Sequence, residues 1–251
     1  MVYMGSKNRI AKELIPIITK YLTKDRWYVE PFCGGCNMID KVKHDKRIAN
    51  DYNGYLIEMF RALQNGIELP TRISKEMFTE ARDNFHGKKE TMPLYLIGWI
   101  GFMAGFSGRF FDGGYAGHNF KGRDYVKERI NNLMKQFPLV KDCIFNNGSY
   151  NGLDIPNNSV IYCDPPYFGT KEYKVSVGFN HDKFWQWCRY MTKQGNDVLI
   201  SEYNAPSDFY CIWRKQVTNA MNTKNTYNPT EKLFVHESIA DKYMSNELKL
   251  F

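Results

Sequence analysis

The sequence predicts an α/β fold in which a mostly parallel sheet carries one large, mostly helical insertion. Three observations lead there. Short apolar runs bounded by turn residues alternate with segments whose apolar residues recur at helical spacing, as in βαβ units. The run Trp27-Tyr28-Val29-Glu30-Pro31-Phe32 stops at Gly34-Gly35 and is followed by Arg47-Ile48-Ala49-Asn50-Asp51, so strand, glycine turn, helix and strand fit within the roughly 30 residues of such a unit. From about 55 to 140 the strand signal lapses and helical spacing takes over.

Taken in order, Ile10, Leu14, Ile17, Ile18 and Tyr21 predict an opening helix. Strands over 27–32 and 47–51 bracket a short helix at about 36–43. Leu56, Ile57, Phe60 and Leu63 predict a helix over 53–63, and the helical pattern continues from 64 to 104, ending in the very apolar Leu94 to Phe106. Residues 105–122 differ: Gly105, Gly108, Gly113, Gly114, Gly117 and Gly122 lie among Phe106, Arg109, Phe110, Phe111, Tyr115, His118 and Lys121, too long a loop for an ordinary connector. A helix over about 123–137 follows, then strands at 142–146 and 160–163, a helix at 181–193, a strand at 197–201 and late strands near 209–217 and 232–237.

With 251 residues the chain is one large domain or a core with one insertion. Hydrophobic residues at 43% and charged residues at 24% exclude a disordered or fibrous chain. No apolar run approaches the ~18 residues of a membrane span. The start, Met1 to Lys7, lacks an apolar signal core, and six cysteines without a signal point to reduced thiols. The expectation is a soluble, cytoplasmic protein. The net charge of +7 is uneven: +3 over residues 1–60, +5 over 61–141 and −1 over 142–251. A basic middle suits either a polyanion-binding insert or a well-solvated surface.

The sharpest chemical signal is Asp164-Pro165-Pro166-Tyr167, directly after the buried run Val160-Ile161-Tyr162-Cys163. Two prolines fix backbone angles and remove two N–H donors, leaving nearby carbonyls to accept bonds from a ligand. An acid, a spare carbonyl and an aromatic face suit a planar amine such as the adenine amino group, whose lone pair is delocalised into its ring. Asp164 and the Pro165 carbonyl would each accept one N–H while Tyr167 stacks on the ring, stabilisation aimed at the transition state. Glu30-Pro31-Phe32-Cys33-Gly34-Gly35 is a strand feeding a glycine turn that a cofactor can approach closely, without the G-x-G-x-x-G of a dinucleotide site. Asp51, ending the next strand, is placed to accept ribose hydroxyls. Cys33 and Cys36 form a lone C-x-x-C pair, and the five histidines show no metal spacing; no metal is expected.

Tyr3-Met4-Gly5-Ser6-Lys7, Glu30 to Gly35, Ala49-Asn50-Asp51 and Asp164 to Tyr167, in this order, resemble the Dam-type (D12 class) DNA adenine-N6 methyltransferases. The resemblance is closer to the compact phage and prophage branch and extends through Ser107-Gly108-Arg109-Phe110-Phe111, Gly113-Gly114-Tyr115-Ala116 and Ser201-Glu202-Tyr203-Asn204-Ala205-Pro206. It departs at Tyr3, where Dam proper usually has tryptophan, and in the insert, which lacks the arginine-asparagine segment of GATC readers. The resemblance implies a Rossmann-like methyltransferase sheet, S-adenosylmethionine as donor and double-stranded DNA as partner, with no metal and no obligate protein partner. It divides the chain into a catalytic part, 1–54 and 141–251, and a target-recognition insertion, 55–140. Carried over, Tyr3, Lys7, Phe32, Gly34, Asp51, Ser149, Tyr150 and Asp164 would contact the donor. Asp164, Pro165, Pro166 and Tyr167 would form the target-adenine site. Within the insert, Arg109 and Arg123 are expected at bases, and Lys121, Lys127 and Arg129 at phosphates. Two other readings stay open: a methyltransferase for RNA or a protein amide, and a non-catalytic DNA-binding relative.

Overall fold

The computed structural model of the chain describes residues 1–117, 122–168, 178–217 and 229–244. Seven strands form one sheet: β1 Tyr28–Glu30, β2 Arg47–Asp51, β3 Ile144–Asn147, β4 Val160–Cys163, β5 Asp197–Glu202, β6 Phe209–Gln216 and β7 Thr230–His236. Their order is β3-β2-β1-β4-β5-β7-β6. The first five run parallel, and β7 enters antiparallel between β5 and β6. From β1 the chain steps outward through β2 to β3, then returns to β4 and steps the other way to β5. The order therefore reverses between β1 and β4, and in such sheets ligands bind beyond the carboxyl ends of the strands at that reversal.

Residues of β1, β2, β4 and β5 are buried on both faces, which is why they read as continuous apolar runs. Alternate side chains enter opposite cores. Val29, Ile48, Ile161, Cys163, Val198 and Ile200 meet helix α6, His181–Lys193, through Phe184, Trp185, Cys188 and Met191. Tyr28, Ala49, Val160, Tyr162 and Leu199 face the larger core. That core takes in α1 Ala11–Ile18, the insertion helices α2 Gly54–Gln64, α3 Lys75–Phe85, α4 Leu94–Ala104 and α5 Tyr125–Val140, and the late helix α7 Glu237–Tyr243.

The insertion helices thus share the sheet's core. Helix α4 is buried on every side from Ile97 to Ala104, and it crosses α2 so closely that a Cβ at Gly98 would lie 2.1 Å from the Tyr55 carbonyl oxygen. Asn53 caps α2, its side chain accepting from the Leu56 N–H. The buried Asn50 donates to the carbonyls of Pro31 at 2.9 Å and Gly148 at 3.0 Å, tying together the segments that leave β1 and β3.

Two local expectations change. The short helix over 36–43 is only a 3-10 turn, Ile39–Lys41. Cys36 has φ 55, outside the helical region, and the Gly35 and Cys36 carbonyls accept from the side chain of Gln136, reaching across from α5. Helix α7 has no forewarning in the sequence: it follows β7 directly, with His236 as its cap.

Candidate active site

The Asp164-Pro165-Pro166-Tyr167 segment leaves the carboxyl end of β4, beside the reversal point. Lys7, on a 3-10 turn before α1, crosses to it: its Nζ lies 3.0 Å from Asp164 Oδ1 and 3.7 Å from Glu231 Oε2. The Tyr167 hydroxyl donates to the same Glu231 oxygen at 2.9 Å, and Lys7 Nζ sits 4.5 Å from the Tyr167 ring centroid. Tyr203 meets Tyr167 edge-on with centroids 4.7 Å apart.

Burial raises the Asp164 pKa, with Glu231 adding to the rise and Lys7 opposing it. For Lys7, burial works against the charge, yet Asp164 and Glu231 hold its pKa above the ordinary lysine value. Two carboxylates therefore share one buried ammonium.

Glu202, the last residue of β5, accepts the N–H groups of Phe168 at 3.1 Å and Tyr203 at 2.6 Å. It thereby pins the chain that follows Tyr167. Burial pushes its carboxyl up to about 7, against the pull of those two N–H donors. Glu30, ending β1, accepts from the Tyr28 hydroxyl at 2.7 Å, and burial raises its pKa far above the carboxylate range.

On the β1–β2 side, Asp51 accepts the N–H of Gly34 at 2.9 Å and of Asn53 at 2.9 Å. Gly34 has φ +46, and a Cβ there would fall 2.8 Å from Tyr3 Cε1. The glycine turn is thus shaped first by Tyr3, which lies upon it. Phe32 and Tyr150 pack at 5.4 Å, joined by Phe179 and Phe184. Ser149 precedes the turn Tyr150–Gly152 and is exposed. The fold therefore gathers Lys7, Asp164 and Tyr167 into one cluster and Tyr3, Gly34 and Asp51 into another, with Phe32 and Tyr150 in ring contact.

Within the insertion, Arg109 is exposed between Ser107 and Phe110, whose φ values of 56 and 52 are unusual for residues with side chains. The loop is held by Phe106 N–H to Gly114 at 2.8 Å and Ala116 N–H to Ala104 at 2.7 Å. Arg123 is exposed and makes a two-pronged pair with Glu128 at 2.5 and 2.7 Å. Lys127 is exposed near the start of α5. Arg129 corrects the expectation of a phosphate contact. It is buried, its Nη1 donating to the carbonyls of Gly105 and Met103 at the end of α4, so it anchors the loop from within. Lys121 lies outside the described residues.

Sequence reasoning did not single out Glu231, Glu202 as a clamp, or Gln136. Of these only Gln136 carried a signal: with Val126, Arg129, Ile130, Leu133 and Val140 it falls on the one buried stripe of α5. Cys33 and Cys36 are both buried, with thiol pKa values raised by burial. Among the described residues no group of His, Cys, Asp or Glu is arranged to hold a metal, and no helix is long and apolar enough to cross a membrane.

Comparison with known proteins bears on this arrangement. The chain is 26% identical over 189 residues to modification methylase StsI of Streptococcus sanguinis, covering 67% of this chain and 28% of that protein. It is 24% identical over 199 residues to modification methylase LlaI of Lactococcus lactis subsp. lactis, covering 72% and 30%. Type II methyltransferase M.FokI of Planomicrobium okeanokoites is 24% identical over 191 residues, covering 67% and 28%. The chain thus spans less than a third of the length of these relatives. Among solved structures, SMU.472 complexed with SAH aligns over 92% of this chain and 52% of its own, with TM-score 0.38 and 10% identity. The model of the D12 class N6 adenine-specific DNA methyltransferases matches residues 3–228, nearly the whole sequence, and the chain belongs to that family.

Proposed function

We propose that this chain transfers a methyl group from S-adenosylmethionine to N6 of an adenine flipped out of double-stranded DNA, as a cytoplasmic enzyme. The observation that carries this reading is the position of Asp164-Pro165-Pro166-Tyr167 at the end of β4, beside the reversal point, with Asp164 half-buried and ion-paired. S-adenosylmethionine supplies, when bound, an electrophilic methyl group. The residues fit that donor. Asp51 spends two of its acceptor positions on Gly34 and Asn53, leaving about two of a carboxylate's four for ribose hydroxyls. We assign Tyr3, Lys7, Phe32, Gly34, Ser149, Tyr150 and Asp164 to the donor as well.

In this mechanism Asp164 and the Pro165 carbonyl accept the two N–H bonds of the target amine, drawing its lone pair out of the ring system. Tyr167 stacks on the base. Acceptors already in place at the developing charge lower the barrier without reorganising. Extrusion of the base costs a few kcal/mol, which stacking and phosphate contacts from the 55–140 insertion offset. Residues 1–54 and 141–251 form the catalytic part, and Arg109 with Arg123 reads bases while Lys127 and Lys121 meet phosphates.

Label transfer from methyl-tritiated S-adenosylmethionine tests the reading. Label recovered as N6-methyladenine in duplex DNA is the expected result. Label in RNA or protein with none in DNA, or no binding of the donor, would overturn it.

A further inference from the structure

We propose that Glu231, on β7, is a positioning residue of the active site: by sharing Lys7 with Asp164 and holding the Tyr167 hydroxyl, it keeps the cluster that faces the target amine net negative. The inference rests on the function proposed above and deepens it. Glu231 lies outside residues 3–228, the span matched by the family, and reaches the site from the antiparallel hairpin, not from a motif-bearing strand.

The geometry makes the charge count. Lys7 Nζ is 3.0 Å from Asp164 and 3.7 Å from Glu231, and all three side chains are largely buried, at 8%, 21% and 13% exposure. Lys7 with Asp164 alone would sum to zero, an ion pair whose carboxylate is already spent. Adding Glu231 makes the set −1. As the amine attacks a methyl group its nitrogen gains positive charge, and a fixed negative cluster stabilises that state more than the ground state. Glu231 also fixes the Tyr167 ring: its Oε2 accepts a hydrogen bond from the phenol O–H at 2.9 Å while Lys7 Nζ rests against the ring at 4.5 Å from its centroid.

Among the described residues, Lys7, Glu231 and Tyr167 act on the ionisation of Asp164, with Glu30, Glu202 and Tyr162 close enough to couple to it. Lys7 favours the ionised carboxyl and Glu231 opposes it. Removing the Glu231 charge therefore has two linked effects: Asp164 ionises at lower pH, and the rate on the plateau falls.

The test is the pH profile of single-turnover methyl transfer to duplex DNA by wild type, Glu231→Gln and Glu231→Asp, alongside thermal melting. Glu231→Gln should lower the plateau rate about tenfold or more and move the acid limb about half to one pH unit lower, the direction set by loss of a like charge. Glu231→Asp keeps the charge and should hold the limb at its wild-type position, a check that stands even where the glutamine variant does not fold. A folded Glu231→Gln with an unmoved limb, or a Glu231→Asp whose limb moves down by half a unit or more, would overturn the role of Glu231. A wild-type chain that transfers no methyl to DNA would overturn the function beneath it, a failure told apart by the wild-type arm alone.

Discussion

Arg129→Ala should cost the fold stability and leave the electrostatics of DNA binding untouched. The side chain lies on the buried stripe of α5, and its Nη1 donates to the carbonyls of Gly105 and Met103, the second at 3.4 Å. Those carbonyls end α4, where no further turn can satisfy them. A buried hydrogen bond from a charged donor contributes about 1.5–3 kcal/mol, and the aliphatic stem adds packing that alanine loses. Counting one strong bond and one long one, the loss is about 3 kcal/mol, or roughly 6–12 °C in Tm for a domain of this size. The assay pairs thermal denaturation with DNA affinity measured at several salt concentrations. A phosphate contact would instead reduce the salt slope by about one. An unchanged Tm with a flattened salt dependence would refute the placement of Arg129.

Five other substitutions test the site and the insertion. Asp164→Ala should abolish methyl transfer, at a cost of ~2.7–4 kcal/mol in the transition state, while calorimetry still detects S-adenosylmethionine binding. Asp51→Ala should weaken that binding by one to two decades, roughly 1.5–3 kcal/mol, and also lower Tm because the Gly34 and Asn53 N–H groups lose their acceptor; unchanged affinity would place the donor elsewhere. Arg109→Ala should cost roughly 1–3 kcal/mol on the preferred site and relax its preference, whereas Lys127→Ala should weaken all duplexes alike; competition between preferred and scrambled duplexes separates the two. Glu202, held up to about 7 by burial, ionises in the unfolded chain near its ordinary ~4.3. Its charge therefore costs nothing below that value, and wild-type stability is lost as pH rises from there to about 7. Glu202→Gln removes the loss, so its Tm relative to wild type should climb between pH 5 and 8, and a pH-independent difference would count against a raised pKa.

The sheet was legible because its central strands are covered on both faces and leave continuous apolar runs between turn residues. Arg47–Asp51 and the helix His181–Lys193 coincide with the segments read from the sequence. The helix expected at 36–43 gives way to a 3-10 turn: Cys36 has φ 55, outside the right-handed helical region, and Gln136 reaches across from α5 to the Gly35 and Cys36 carbonyls, a tertiary contact no local pattern announces. The site was legible where it follows a strand: Asp164 to Tyr167 stands at a strand end, and a strand end is visible in sequence. The pairing of Asp164 with Lys7 and Glu231 was not, because it joins an early turn, a central strand and a late hairpin through tertiary contact alone. Arg129 shows the opposite error. Its helical phase placed it in the core, and its charge was read as a sign of the surface.

The most direct test of the central claim is a map of modified bases in DNA from a methylation-deficient host expressing this protein. Wild type should leave N6-methyladenine at one recurring sequence, and Asp164→Ala should leave none. DNA without N6-methyladenine from a host that accumulates the folded wild-type protein would contradict it, as would methylation that persists when Asp164 is replaced.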